Sequence, residues 1–320
     1  MKWVVICMEE RPSYLTSTVF ERTWRPDPWA VSWEDIRHNA QLKVYPDGSA
    51  SLLACNRRIF RESGFEERRP EGEAVSHLLD SEEAAAGEGP KEPDPENVSR
   101  ARRRARAALV DLARSTNFRY FVTLTLDKER ISRYDEREVI RRLNTWLDNQ
   151  VRRKGLAYVL VPEHHKDGAI HFHGLITDGL TMEDSGTVKL AEGGKPKRPR
   201  SKAQRAAWLA EGGHTVYNVK EWRFGFSSAL ELYGDRRAAI GYTTKYIGKE
   251  GRKIGGRWYY SGGPLGRPSV HQVDVDFEKV QEAAGERGSF AIGELDARAA
   301  RLDAEKGADL YGWLEQLAWP

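Results

Sequence analysis

The stretch Ala157-Tyr-Val-Leu-Val-Pro-Glu163-His-His-Lys-Asp-Gly168-Ala-Ile170-His-Phe-His-Gly-Leu-Ile-Thr177 decides how this chain is read. Two runs rich in β-branched and aromatic residues, 157–162 and 170–177, flank Lys166-Asp167-Gly168, a combination that predicts a β-hairpin. On the second strand His171 and His173 share one face and Phe172 points the other way, because strand side chains alternate with period two. Pairing of the two strands brings Glu163 across the turn toward both imidazoles. Two imidazoles and a carboxylate on one face leave coordination positions open, a donor set suited to a catalytic divalent ion. His164 and His165 stand close enough in sequence to replace Glu163 or to contact a phosphate, and a carboxylate suits hard Mg²⁺ better.

Outward from the hairpin, Tyr120-Phe-Val-Thr-Leu-Thr-Leu126 reads as a buried strand. A helix over 135–154 carries Val139, Ile140, Leu143, Trp146, Leu147 and Val151 at helical spacing. An earlier helix opens near Ser99 and runs to Arg114. Segment 179–213 is polar and basic and is expected to be a mobile loop. A strand is expected over 219–232 and a helix over 235–249. The order βαββ…βα predicts an α+β fold, an antiparallel sheet backed by helices.

On the 235–249 helix, Tyr242, Lys245, Tyr246 and Lys249 fall within an arc of roughly 100°. A phenol needs activation before it can act as a nucleophile. A metal drawing charge from a phosphate and nearby ammonium groups favouring the phenolate would both help. Two tyrosines one turn apart could serve two successive transesterifications, and spacing alone leaves open which attacks first.

Charge is unevenly distributed. Residues 99–271 hold 34 bases and 18 acids, net +16, against +1 for 1–65, −8 for 66–98 and −6 for 272–320, which sum to +3. The basic centre points to a polyanionic partner. Candidate DNA contacts are Arg100 and Arg103 on the first helix, Lys195, Lys197, Arg198 and Arg200 in the basic loop, and Arg252, Lys253 and Arg257 near Trp258, Tyr259 and Tyr260. The last three aromatics read equally as a core strand.

The remaining segments are read by composition. Residues 1–65 form a small β-containing segment with a hairpin at Pro46-Asp47-Gly48, and Trp3, Trp24, Trp29 and Trp33 argue for folded structure there. Residues 66–98 are an acidic Gly/Pro-rich linker. Residues 272–320 are expected as an acidic helical tail. With 39% apolar and 31% charged residues the chain has a soluble composition, and no run approaches the roughly 18 apolar residues of a membrane helix. The run Met1–Cys7 is followed at once by Glu9, Glu10 and Arg11, so no secretory signal is expected. Two cysteines, Cys7 and Cys55, build neither a disulfide framework nor a four-cysteine zinc site, so a reducing cytoplasm is the default.

The set Phe121-Val-Thr-Leu-Thr-Leu126, Glu163, His171-Phe-His173-Gly174 and Tyr242-Thr-Thr-Lys-Tyr246, in that order, resembles the HUH endonucleases. More narrowly it is similar to rolling-circle replication initiators of phages and plasmids, of the filamentous-phage gene II type. The resemblance covers roughly 99–271. It implies a ferredoxin-like or RNA-recognition-like antiparallel sheet with helices on one face. The activity implied is nicking and joining of single-stranded DNA at a replication origin with Mg²⁺ or Mn²⁺, through a 5′-phosphotyrosine, in the cytoplasm of a bacterial or archaeal host. Carried over, His171, His173 and Glu163 match the metal ligands, Tyr242 and Tyr246 the tyrosines, with Lys245 or Lys249 stabilising phenolate or phosphate. No Gly-x4-Gly-Lys-Ser/Thr phosphate loop occurs, so a host helicase as well as a host polymerase is expected. Other readings are a transposase or relaxase on the same fold, a non-catalytic origin-binding protein, and a phosphodiesterase that uses water.

Overall fold

Gly48 adopts φ +81°, the left-handed conformation that closes the Pro46-Asp47-Gly48 turn, and Asp47 accepts the Ser49 N–H at 2.9 Å. The turn joins β2 (Ala40–Val44) to β3 (Ala50–Cys55) as an antiparallel hairpin with Val44 opposite Ala50. A two-residue pair, β1 (Arg37–His38) with β4 (Phe60–Arg61), lies outside it. The computed structural model describes residues 37–61, 95–232, 236–249, 252–292 and 297–318. Cys7, Trp3, Trp24, Trp29, Trp33 and nearly all of the expected acidic linker lie outside the described residues. The chain divides into two compact units, residues 90–267 and the flanks 1–89 with 268–320.

Residues 90–267 begin with α1 (Pro95–Ser115), which starts four residues before Ser99, with proline where a missing N–H costs nothing. Next come β5 (Tyr120–Thr125) and α2 (Glu136–Lys154). Asp135 caps α2 by accepting the Glu138 N–H, and Gly155, at φ +63°, ends it. The predicted hairpin forms as β6 (Tyr158–His164) and β7 (Ile170–Ile176), closed by Gly168 at φ +83°. Then follow β8 (Met182–Lys189), α3 (Lys202–Ala210), β9 (His214–Val219), β10 (Ser227–Glu231), α4 (Arg236–Lys249) and β11 (Tyr260–Gly262). The seven strands make one antiparallel sheet in the order β11-β6-β7-β5-β10-β9-β8.

The fold is α+β as expected, but helices cover both faces of this sheet. Val122, Leu160, Phe172 and Ala229 pack with Val139, Leu143 and Leu147 of α2 on one face. Val159, Val161 and Leu175 pack on the other with Leu109 and Leu112 of α1 and Ile240 and Ile247 of α4. The cause is in the strands: β6 and β7 are apolar on both faces, so one layer of helices could not bury them.

Segment 179–213 is structured, where a mobile loop was expected. β8 pairs with β9, Val188 and Lys197 exchange backbone hydrogen bonds, and Ser201 caps α3. The strand expected over 219–232 divides into β9 and β10. Between them Trp222 donates its indole N–H to the Thr125 carbonyl, and a Cβ at Gly225 would overlap that same carbonyl.

In the flanking unit β12 (Ser269–Val273), α5 (Phe277–Gly288), β13 (Ser289–Ile292), β14 (Ala297–Ala304) and α6 (Leu310–Leu317) follow. The five-stranded sheet runs β12-β2-β3-β14-β13, so the expected helical tail supplies strands to this sheet besides its two helices. No helix among the described residues is long and apolar enough to cross a membrane.

Candidate active site

β7 alternates as its sequence demands. Ile170 and Phe172 enter the core against α2, while His171 and His173 look toward the α1–α4 face, their rings parallel within 3° at 6.4 Å. β5 lies alongside with Thr125 opposite His171 and Thr123 opposite His173. Each pair shares a hydrogen bond, Thr123 Oγ1 with His173 Nδ1 at 3.0 Å and Thr125 Oγ1 with His171 Nδ1 at 3.2 Å. A hydroxyl donates or accepts equally well, so each ring is held in either tautomer with Nε2 facing outward from β5. On the other side β6 places Glu163 opposite His171. Its carboxylate reaches diagonally to His173 Nε2 at 3.1 Å and accepts from Lys249 Nζ at 2.8 Å.

Lys249 belongs to α4, which delivers the tyrosines. Buried Thr243 and Thr244 satisfy their hydroxyls by donating to the Ala239 and Gly241 carbonyls, so they cost the helix no orphaned polar group. One face of α4 then meets the histidines. The Tyr246 ring stacks on His173 at 4.1 Å, Lys249 Nζ sits 4.7 Å from the Tyr246 centroid, and Tyr242 meets Tyr246 edge-on at 5.1 Å. Tyr242 also rests against Phe121 of β5 at 5.2 Å. The tyrosines differ in access: Tyr242 is 49% exposed and Tyr246 4%.

Burial sets the electrostatics. It pulls the His173 imidazole down to about 4, against the opposing pull of Glu163, and it lowers His171 with help from the charge on His165. Both rings are therefore neutral at neutral pH, the state in which imidazole binds a metal. Burial also pushes the Tyr246 phenol well above its ordinary range, with hydrogen bonding to Tyr242 and the Glu163 charge acting the same way.

As the side chains stand, no three His, Cys, Asp or Glu residues among those described converge tightly enough to hold an ion. Glu163 is engaged by Lys249 and His173 instead. The donor set nevertheless fits a divalent metal: two neutral imidazoles with anchored Nδ1 atoms and a carboxylate. Of the two alternative ligands, His165 lies beside His171, ring centroids 4.9 Å apart, and pairs with Asp167 at 3.3 Å. His164 alternates to the opposite face, where its charge acts on Glu136.

Residues 119–251 match a family of replication-associated proteins, described as the ORF2 and gene II protein type. No curated protein and no solved structure matches the chain. The replication-associated match starts one residue before β5 and ends just after α4, so it contains every residue of this cluster. It supports a role in DNA replication of the initiator type.

Other residues singled out in the sequence sit apart from the cluster. Arg100 pairs with Glu96 at 2.9 Å along α1, and Arg103 is exposed on the same helix. Lys195, Lys197, Arg198 and Arg200 are exposed between β8 and α3. Arg252 pairs with Glu136 at 2.9 Å, Arg257 lies 5.9 Å from the Tyr260 ring, and Lys253 is exposed. Trp258 and Tyr260 are buried, which decides for the core reading of those aromatics. Lys245 is exposed on α4 and makes no hydrogen bond or ion pair with another described residue. Thr123, Thr125 and Phe121 are the contributors that chemistry-bearing residue types did not reveal. The visible signal was the threonine pair at period two, matching the period of the histidines it supports.

Proposed function

We propose that residues 95–267 form a DNA nicking and joining centre that initiates and terminates rolling-circle replication, with a tyrosine as nucleophile. The observation that carries this reading is the stacking of Tyr246 on His173 with Glu163 and Lys249 at its edge and Tyr242 one turn away. Held by His171, His173 and Glu163, Mg²⁺ or Mn²⁺ would supply charge neutralisation at a non-bridging oxygen of the scissile phosphate.

The chain's own residues divide the rest of the work. Thr123 and Thr125 fix the imidazole orientations. Tyr242, being accessible, attacks first: its Oη bonds to phosphorus and the bond from phosphorus to the 3′-oxygen breaks. The phenol proton leaves to solvent, and the departing 3′-oxygen takes one up as a hydroxyl for a host polymerase to extend. Tyr246, with its phenol pushed up by burial, is the second nucleophile and acts once its contacts open. Lys249 holds positive charge at the Tyr246 ring, and Lys245 faces outward to meet the phosphate backbone. Joining is the reverse attack by a 3′-hydroxyl on the phosphotyrosine. The basic residues named above bind the flanking strand, and unwinding falls to a host helicase. A transposase or relaxase could use the same centre, and the replication-associated match favours replication.

The test is single-stranded oligonucleotide incubated with Mg²⁺ or Mn²⁺ and run on a denaturing protein gel, for Tyr242→Phe and Tyr246→Phe separately. Tyr242→Phe should lower the initial covalent yield by about 100-fold or more, as loss of a nucleophile does. Tyr246→Phe should leave the first adduct largely intact. Cleavage without any adduct would make water the nucleophile and defeat the proposal.

A further inference from the structure

The ladder that aligns Glu163, His171 and Thr125 continues one strand further. Thr125 donates its N–H to the Phe226 carbonyl at 2.8 Å, and the next pairs along β10 are Ser227 with Leu124 and Ser228 with Thr123. Ala229 and Val122 face the α2 core, so alternation puts Ser228 and Phe226 on the histidine side of the sheet. Phe226 thus lies two strand spacings from His171, roughly 10 Å. Its ring is 72% exposed, the most exposed of the large apolar side chains in this unit, and touches no other described aromatic ring or cation. Tyr134, the next most exposed, has Arg133 over its ring at 5.1 Å. Between Phe226 and the histidines the floor is made of small hydroxylated side chains, Thr125, Thr123 and Ser228, which leave room above it.

A lone exposed phenylalanine on a protein surface needs no explanation. Here three facts coincide: the ring shares a ladder row with the reacting centre, stands on the same face, and has both its faces open. α1 and α4 cover β6 and β7 on that face, and Phe226 stands on the far side of β5. The surrounding sequence is strongly basic, so the chemistry that fits the ring is a flat, unpaired base whose backbone is anionic. We propose that Phe226 is the stacking platform for an unpaired nucleobase close to the scissile phosphate, a positioning residue that fixes which phosphate enters the site. This rests on the nicking function proposed above.

Binding and cleavage are measured separately, so that the two proposals fail separately. The probe is a single-stranded oligonucleotide of 5-iododeoxyuridine and deoxythymidine, which crosslinks on irradiation to an aromatic ring stacked on the halogenated base. The crosslink should map to the tryptic peptide 224–236, on Phe226. Phe226→Leu should abolish it and weaken binding roughly 5- to 100-fold, the usual worth of one base–aromatic stack, and Phe226→Trp should restore both. Because Phe226 is exposed, the leucine variant should fold, which its unchanged melting temperature would verify. Equal affinity of Phe226→Leu and the unaltered protein, or a crosslink elsewhere, would overturn the stacking role even if the tyrosine adduct forms normally. Loss of the crosslink and of affinity in a protein that forms no adduct would uphold the stacking role while the nicking function fails.

Discussion

Thr123 and Thr125 show how much of the site depends on residues without chemistry of their own. Each holds a histidine Nδ1 from the neighbouring strand, and partners at that position fix ring orientation and ligand basicity. Thr123→Val and Thr125→Val keep shape and strand propensity while removing the hydroxyl. Each should lower Mn²⁺ affinity, measured by titration calorimetry, by roughly 10- to 100-fold with the fold intact by circular dichroism. Unchanged affinity in both would mean that backbone pairing alone orients the imidazoles. The histidines, Glu163 and the tyrosines were legible in the sequence because their side chains carry the chemistry. The threonines were not, since in Phe121-Val-Thr-Leu-Thr they look like ordinary β-branched strand residues, and only the register between β5 and β7 gives them a role.

At the scale of elements, the geometry depends on how closely β6 and β7 approach just past His173. A Cβ at Gly174 would overlap the Val159 carbonyl and lie 2.8 Å from Leu160 Cα. Gly174→Ala should therefore push β7 from β6, separate His173 from Glu163, and destabilise by about 1–3 kcal/mol. Urea unfolding checks the stability, and the adduct assay should show a loss of activity exceeding the loss of folded protein. The hairpin and α2 were readable because their apolar residues keep strict periods of two and 3.6. β8 and β9 were not: β8 is polar, with a register shift between Asp184 and Thr187, and it is held by pairing and by the Arg205–Asp184 ion pair. β14 was hidden for a different reason. Ala297-Arg-Ala-Ala-Arg-Leu-Asp-Ala304 has helix-forming composition, and pairing to β3 and β13 on both sides overrides it.

At the scale of the whole molecule, the flanks of the chain are tied into one unit by contacts distant in sequence. Asp274 is buried, accepts hydrogen bonds from His38 Nδ1 at 3.1 Å and the Asn39 N–H at 3.2 Å, and lies 3.7 Å from Arg58. The Asn39 side chain bridges to both backbone groups of Val275. Burial pushes the Asp274 carboxyl up, but the His38 and Asn39 hydrogen bonds and the charges of His38 and Arg58 outweigh it and hold the group below the usual carboxylate value. A carboxyl lowered on folding stabilises above its unfolded value of 3.8, and that stabilisation is lost as pH falls through the lower native value. Asp274→Asn should cost roughly 3 kcal/mol or more at neutral pH, since it removes one member of a buried pair. Urea midpoints of the two proteins should converge as pH drops below 3.8. A constant gap across that range would mean that the carboxylate's charge contributes nothing.

The central claim is that a tyrosine of α4 carries the DNA covalently, and peptide mapping of the adduct tests it most directly. Lys245 lies between the two tyrosines, so trypsin separates Tyr242, in the peptide 238–245, from Tyr246, in 246–249. After a brief Mg²⁺- or Mn²⁺-dependent reaction with single-stranded DNA and nuclease trimming, mass spectrometry should find a nucleotide phosphate on peptide 238–245. A metal-dependent cut that leaves free 5′-phosphate ends, with both peptides unmodified, would contradict the account.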